Sequence, residues 1–290
     1  MHKPVDLLHK AAQWDNIGGN GDLAHFYHAN GFPAGVYEPL LSSLKENFSL
    51  KALHIRPTWL NIGLPPNNRS WQLYADDLIS FIEREYNSAI VGIGHSMGAS
   101  ATILAALKRP DLFKALILIE PAMVSPSIAT MARLLPKSMM NRIQPAKGTL
   151  TKKDSWENRE DFLEYCKQHK LYKNFSDSSL ISMAKSGVID SQNGSVTLAF
   201  PKIWEAHNYT QPPAMMAAIK QLKMPCVAIR GKPSIFFTEK IWQQWKAISP
   251  QTIFLENTGY GHLMPLENPT VCSELIIRGF NEITKQQFTL

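Results

Sequence analysis

The chain has 290 residues, of which 44% are hydrophobic and 19% charged, and its formal net charge is +6. This composition suits a globular protein with a sizeable core, folded as one large domain or two of ordinary size. No apolar run approaches the roughly 18 residues of a membrane-spanning helix, and the polar start has no apolar segment suited to secretion. We find no nucleic-acid-binding motif and expect no nucleic-acid partner.

The cysteines point to a reducing compartment. Cys166, Cys226 and Cys272 are widely spaced and odd in number. Reduced thiols in a cytoplasmic protein are the simplest interpretation of this pattern, and the spacing predicts no metal site.

Strand and helix patterns alternate in the first 120 residues. The predicted strands are 25–28, 50–55, 89–93 and 115–119, and the predicted helices are about 37–45, 71–86 and 99–107. The last strand is continuously apolar, which is typical of a strand buried on both faces of a parallel sheet.

The pattern changes after Pro121 and returns near the C-terminus. Residues 122 to about 213 are mostly helical in pattern and rich in Lys and Met, whereas strands at 226–230 and 252–255 and a helix at about 269–283 follow. We therefore predict a core domain in two parts, 1–120 and 214–290, separated by a helical insert at 121–213. Alternating strands and helices in the core predict a parallel sheet covered on both faces.

The most informative stretch is residues 94–98, which read GHSMG directly after the strand predicted at 89–93. They match G-x-S-x-G, the turn that lifts a nucleophilic serine off the end of a strand. The serine there adopts a strained backbone, and the flanking glycines remove side chains that would collide. Ser96 is therefore the candidate nucleophile.

A serine hydroxyl needs a base within hydrogen-bond reach, and the base needs an orienting acid. His262 is the best candidate base, because it lies in a glycine-containing loop just after the last predicted strand. In parallel sheets the chemistry lies at the carboxyl ends of the strands. Ser96 and Glu120 both follow strands at that edge.

These residues give the chain a resemblance to the α/β-hydrolases over roughly residues 12–120 and 215–285. Residues 94–98 resemble the family's nucleophile elbow, residues 260–267 its histidine loop, and residues 30–33, which read NGFP, its H-G-x-P oxyanion loop.

The resemblance implies an α/β-hydrolase fold, with a mostly parallel central sheet and helices on both faces. It implies a mainly helical cap after the family's sixth strand, here the strand that ends at Ile119. It also implies an oxyanion hole formed by the backbone N–H groups of Phe32 and Met97, and no cofactor or metal.

Two residues depart from the family's pattern. Asn30 replaces the usual histidine before Gly31, a side-chain change that leaves the backbone donors available. Ser234 stands where a G-x-x-D pattern usually carries the acid, and a serine cannot supply the negative charge that stabilises an imidazolium.

Glu120 is the candidate that restores the triad, because some members of the family carry their acid after the sixth strand. The competing interpretation is that Glu120 caps a loop by binding backbone N–H groups. Among other carboxylates, Glu267 is expected to cap the last helix, and Asp76 and Asp77 are expected to face solvent on a surface helix.

The predicted insert offers an apolar lining and a basic stretch. Its apolar candidates are Met123, Ile128, Met131, Leu134, Leu135, Met139, Met140 and Met183. A substrate with a medium acyl chain fits such a lining, although packing onto the core is the commoner use of these residues. Residues 204–207 are expected on a surface helix.

Six basic residues and no acidic one lie between Arg133 and Lys153. A solvated face explains this pattern, and attraction to an anionic substrate or a lipid surface is the alternative.

The predicted function is hydrolysis of a carboxylic ester or related acyl compound through Ser96, His262 and Glu120. The serine at position 96 argues against dehalogenases and epoxide hydrolases, which use a carboxylate nucleophile. Carbon–carbon bond hydrolysis and perhydrolysis retain the serine and stay open. A non-catalytic binding protein on a degenerate hydrolase fold also stays open, since Ser234 fits that alternative.

Overall fold

The computed structural model describes residues 5–7 and 10–287. Its strands are β1 (Val5–Leu7), β2 (Lys10–Ala12), β3 (Trp14–Gly18), β4 (Asp22–Tyr27), β5 (Phe48–Leu53), β6 (Ile90–His95), β7 (Phe113–Ile119), β8 (Ser155–Trp156), β9 (Val188–Asp190), β10 (Val196–Leu198), β11 (Cys226–Gly231) and β12 (Ile253–Asn257).

The α-helices of the described residues occupy the faces of the sheet and the segment between β7 and β11. They are α1 (Glu38–Ser43), α2 (Gln72–Glu85), α3 (Met97–Lys108), α4 (Pro126–Leu134), α5 (Lys137–Met140), α6 (Ala146–Thr151), α7 (Arg159–Gln168), α8 (Asp177–Ser186), α9 (Lys202–Tyr209), α10 (Met216–Ile219), α11 (Glu239–Ile248), α12 (Met264–Glu267) and α13 (Pro269–Gln287).

The central sheet has seven strands in the order β12-β11-β7-β6-β4-β5-β3. Neighbouring strands are parallel except at the β3 edge, where β3 runs antiparallel to β5. In the register of β6 and β7, His95 lies opposite Ile119. The residues that follow these two strands, Ser96 and Glu120, therefore leave the sheet at the same level and side by side.

Successive residues of β7 point to opposite faces of the sheet, and both faces are covered. Ile117 and Ile119 join the apolar layer that includes residues of α1 and α13. Leu116 and Leu118 join the layer on the other side, which includes residues of α2 and α3. Burial on both faces explains why the strand reads as an unbroken apolar run, and it confirms the predicted parallel sheet.

The sequence interpretation missed β3, the antiparallel edge strand. Its residues read WDNIG, and the pairing with β5 shifts register between Asn16 and Gly18. A short, partly polar and irregular strand lacks the alternation on which such a prediction depends.

The segment between Pro121 and Pro213 contains helices α4 to α9 and a small antiparallel sheet in the order β8-β10-β9. The turn at Asn193 and Gly194 joins β9 to β10, with Gly194 at a φ of 84°. Across the described ranges of the chain, no helix is both long enough and apolar enough to cross a membrane.

Candidate active site

Ser96 lies in a sharp turn between β6 and α3. Its backbone φ is 54°, in the left-handed region that residues other than glycine seldom adopt. The Ser96 N–H donates to the carbonyl of Ile119 at 2.9 Å, which ties the turn to the end of β7. A Cβ atom at Gly98 would lie 2.1 Å from the carbonyl oxygen of Tyr27. The glycine is therefore required by the close approach of α3 to β4.

His262 lies between Ser96 and Glu120. Its Nε2 atom is 2.9 Å from Ser96 Oγ, and its Nδ1 atom is 2.9 Å from Glu120 Oε2. Because an ionised carboxylate only accepts hydrogen bonds, Nδ1 carries the proton and Nε2 accepts from the serine hydroxyl. This is the tautomer that a general base acting on Ser96 requires.

The Glu120 carboxylate is fully buried directly after β7, where the residue has a φ of 48°. Its N–H donates to Ile229 O at 2.8 Å, and its Oε1 atom accepts from the Gly231 N–H at 2.7 Å. Its Oε2 atom accepts from His262. Glu120 thus makes both contacts that the sequence analysis treated as alternatives. Its Oε1 atom accepts from a backbone N–H, and its Oε2 atom faces the imidazole of His262.

Ser234 is part of the same hydrogen-bond network. Its hydroxyl donates to Glu120 Oε2 and accepts from the Phe237 N–H at 2.9 Å. The residue at the family's usual acid position therefore does not supply the negative charge here. It donates a hydrogen bond to the Glu120 carboxylate, which fixes the orientation of that carboxylate beside His262.

His95 connects the histidine loop to the oxyanion loop, a role that the sequence analysis did not identify. Its Nε2 donates to the carbonyl of His262 at 2.9 Å, and its Nδ1 accepts from Tyr37 Oη at 2.8 Å. The Tyr37 oxygen in turn accepts from the Ala29 N–H at 3.3 Å. Burial lowers the pKa of His95 to about 3, so the ring is neutral, as this arrangement requires.

Asn30 anchors the oxyanion loop to α9. Its Nδ2 donates to the backbone carbonyl of Glu205 at 3.0 Å, and its Oδ1 accepts from Asn208 Nδ2 at 2.8 Å. The Tyr74 hydroxyl donates to Asn208 Oδ1 at 2.5 Å. An amide both donates and accepts, so asparagine makes both contacts at once. The departure at position 30 thus has a definite structural role, which only the contacts with α9 reveal.

The two expected oxyanion donors lie on either side of the serine turn. Met97 is the first residue of α3, where a backbone N–H has no acceptor within its own helix. The Phe32 N–H makes a long bond of 3.4 Å to Ala29 O, which is weak enough to be exchanged for a better acceptor. Gly31 has a φ of 84° and lies against the Glu205 carboxyl group.

Ser96 and His262 open onto a cavity of about 470 Å³. From the segment 121–213, the apolar residues Met123, Ile128, Met131, Ala132, Met140 and Ile143 contribute to its wall. Four of the predicted apolar candidates thus face the cavity. Met183 packs instead in the core, while Leu134 and Met139 are exposed.

Three expectations were wrong, and they concern residues 204–207, Asp77 and Glu267. Residues Trp204 to His207 are buried, and Glu205 forms an ion pair with Lys152 at the cavity wall. The helix expected at the surface is covered, and it is hydrogen-bonded to Asn30.

Asp77 is also buried, with its Oδ2 atom 2.9 Å from Arg56 Nε. The position of Asp77 on α2 gave no sign of that partner, which lies 21 residues earlier in the chain. Glu267 does not begin the last helix, because it lies at the end of α12 and accepts from the Gly261 N–H at 3.1 Å.

Comparisons with known proteins agree on the type of scaffold. Residues 23–275 match the Alpha/beta hydrolase family. A 2-(acetamidomethylene)succinate hydrolase of Mesorhizobium japonicum is 32% identical over 102 residues, which are 35% of this chain and 36% of that protein. A type I acyl-CoA thioesterase of Penicillium brevicompactum is 29% identical over 150 residues, 46% of this chain and 33% of that protein.

The matched region thus spans about a third of the length of these two relatives. Among solved structures, an E-2-(acetamidomethylene)succinate hydrolase has a TM-score of 0.80 at 20% identity. That match covers 97% of this chain and 99% of the other, and at this identity it bears on the fold alone.

Proposed function

This chain belongs to the alpha/beta hydrolase family, and we propose that it is a serine hydrolase acting on carboxylic esters or related acyl compounds. One observation carries the proposal. Ser96, His262 and Glu120 form a continuous hydrogen-bonded series with 2.9 Å at each of its two links. Ser96 and His262 line a cavity that can hold a small molecule, and Glu120 is buried behind them.

In the first half of the proposed reaction, Ser96 Oγ attacks the acyl carbonyl while His262 Nε2 takes the hydroxyl proton. Negative charge develops on the carbonyl oxygen, where the N–H groups of Phe32 and Met97 stabilise it. Such a donor is typically worth about 3 kcal/mol of barrier. His262 then gives its proton to the leaving alcohol or thiol as that bond breaks, which leaves an acyl-serine.

In the second half, water replaces the alcohol. His262 Nε2 removes a proton from the water as its oxygen attacks the acyl-serine carbonyl. The same backbone donors stabilise the second oxyanion, and His262 returns the proton to Ser96 when the acid leaves. Throughout, Glu120 stays ionised and stabilises the imidazolium, because it is the charged partner of Nδ1.

We further propose that residues 121–213 act as the cap that shapes the acyl pocket. Methionine side chains are flexible and polarizable, so Met123, Met131 and Met140 suit a pocket that adapts to apolar chains. The two relatives compared above differ in the compound that each is named for, which is consistent with a family whose pocket changes while its scaffold stays.

The competing proposals make different demands on Ser96. A binding protein on a degenerate scaffold has no need for a hydroxyl hydrogen-bonded to a base, whereas this chain has that contact at 2.9 Å. Carbon–carbon hydrolysis would use the same three residues. These three residues therefore do not decide which bond is cleaved, and the substrate that binds in the cavity does.

A fluorophosphonate probe with intact-mass detection tests the nucleophile. We expect one adduct on the wild type, an equal adduct on the Ser178→Ala control, and at least a thousandfold slower labelling of Ser96→Ala. Turnover of p-nitrophenyl esters of increasing chain length should rank these three proteins in the same order as the labelling does. Ser96→Ala protein that labels or turns over like the wild type would contradict the proposal.

A further inference from the structure

The mouth of the cavity has an exposed apolar rim. Five apolar residues contribute to the cavity wall and are also exposed, by 44% to 77%: Ile128, Met131, Ile143, Leu171 and Ile235. Scattered surface hydrophobics are ordinary, whereas a group around one opening is typical of an interaction site. We call these five residues the rim.

Helices α4 and α5 extend this apolar surface beyond the cavity. Ile128, Met131 and Leu134 recur at intervals of three along α4 and are exposed, whereas Ala132 of the same helix is buried. Leu134 is 78% exposed and Met139 on α5 is also exposed, although neither contributes to the cavity wall. One face of α4 is therefore apolar without being covered by this chain.

The same stretch of chain is strongly basic. Arg133, Lys137, Arg142, Lys147, Lys152 and Lys153 lie in a run without a single acidic residue. Lys152 is paired with Glu205, whereas Arg133, Arg142 and Lys147 are exposed between or beside the rim residues in sequence. Apolar side chains among basic ones form the pattern of a surface that lies on an anionic bilayer.

We propose that the rim, with Leu134 and Met139, docks this protein peripherally on membranes that contain anionic lipids. The apolar side chains would enter the headgroup boundary, and the basic residues would bind lipid headgroups around them. The cavity mouth would then face the lipid directly. Binding does not need Ser96 to react, so this proposal is independent of the proposed function.

Charge favours a bilayer over a second copy of the chain as the occupant. Two copies meeting through this face would bring their basic residues together, and like charges across an interface oppose association. An anionic bilayer has the opposite sign and strengthens binding by roughly fivefold for each basic residue close to it.

Vesicle sedimentation tests the proposal. We compare sucrose-loaded vesicles of phosphatidylcholine alone with vesicles that also contain phosphatidylglycerol. The wild type should bind the second kind at least tenfold more tightly, and added salt should weaken binding because it screens the headgroup charge. Ser96→Ala should bind like the wild type.

Two double variants separate the apolar and basic contributions. Leu134→Asp with Met139→Asp, and Arg142→Glu with Lys147→Glu, should each weaken vesicle binding at least tenfold. The matched control is Ile181→Asp with Ile189→Asp, which changes exposed apolar residues outside the cavity wall and should bind normally. Turnover of a water-soluble short ester and thermal unfolding should be unchanged in both test variants.

Three outcomes would overturn the proposal. The first is a wild type that fails to bind anionic vesicles, and the second is a Leu134/Met139 variant that binds as well as the control does. Concentration-dependent dimers of the wild type that are lost in the Leu134/Met139 variant, without vesicle binding, would assign the rim to a second copy instead.

Discussion

The cavity has two kinds of wall, and they differ in almost every physical respect. The strand ends contribute Ser96, Asn30 and the histidine loop, where backbone strain and buried hydrogen bonds fix each polar atom. The segment 121–213 contributes Met and Ile side chains, three of which (Ile128, Met131 and Ile143) are exposed. We call the first the fixed wall, because catalysis depends on distances held to within tenths of an ångström. We call the second the adaptable wall, because its flexible side chains can contact apolar groups of different shapes.

We therefore expect substitutions in the two walls to have different effects on turnover. Changes in the fixed wall should lower kcat for every substrate. Changes in the adaptable wall should alter the preference among substrates and leave the chemical step intact.

The largest effect is expected for Glu120→Gln. A glutamine amide loses the charge that stabilises the imidazolium and allows the wrong tautomer, so kcat should fall about 10⁴-fold with little change in KM. Adding Ser234→Asp to that variant should restore at least tenfold, because an acid then stands at the neighbouring position. Stopped-flow and steady-state kinetics on one soluble ester measure both, and unchanged kcat in Glu120→Gln would remove Glu120 from the mechanism.

Asn30→Ala should have a smaller effect on the same wall. Without its bonds to α9, the loop that carries the Phe32 N–H is no longer held in place, and we expect kcat to fall about tenfold to a hundredfold. KM should change less than threefold. Asn193→Ala, in an exposed turn, is the control, and an Asn30→Ala enzyme with normal kcat would show that α9 does not position the loop.

Met131→Ala tests the adaptable wall. Removing most of a side chain from an apolar pocket is expected to cost about 1–3 kcal/mol in contact with a long acyl chain, or roughly 5–150-fold in kcat/KM. An acetyl ester is too short to benefit from this contact and should be hydrolysed normally. An equal loss for both esters would contradict the division between the two walls.

The smallest effect concerns stability and pH. Burial lowers the pKa of His25, His28 and His95 to about 3, against 6.5 in the unfolded chain. Because the unfolded state takes up these protons first, their contribution is complete above pH 6.5 and is lost as the pH falls toward 3. Each histidine should lower the free energy of unfolding by about 1.4 kcal/mol per pH unit in that window.

The variant His25→Gln should remove one histidine's share of this slope. Its amide oxygen can still accept from the Leu53 N–H, which donates to His25 Nε2 at 3.0 Å. Urea unfolding between pH 7 and pH 5 measures the slope, and Gln243→Ala on the exposed face of α11 provides the control. A slope that His25→Gln leaves unchanged would mean that this ring is not neutral in the folded state.

Local sequence patterns predicted the parallel sheet and selected Ser96 and His262, whereas the choice of Glu120 and of the fold family also depended on the resemblance to the α/β-hydrolases. Ser96 and His262 stand in recognisable turns beside predicted strands, and Glu120 follows a strand whose apolar run is unbroken. The edge strand β3 was missed because its pattern is short and polar. The catalytic roles of the three residues stay predictions.

The supporting residues were not predictable from local pattern, because their contacts are distant in the chain. Ser234 meets Glu120 across 114 positions, Asn208 meets Asn30 across 178, and His95 meets His262 across 167. The signal for His95 was present in the motif itself, as a histidine beside the serine, and the sequence analysis assigned it no role.

Glu120 has a further consequence, because it is also the last residue before the segment 121–213. A movement of that segment would therefore be transmitted to the backbone of Glu120, whose side chain orients the His262 imidazole. The bonds of Glu120 to Ile229, Gly231 and Ser234 anchor that point to β11 and the loop after it. A movement of this segment would therefore begin at a fixed point, and the contact between Glu120 and His262 would be protected from it.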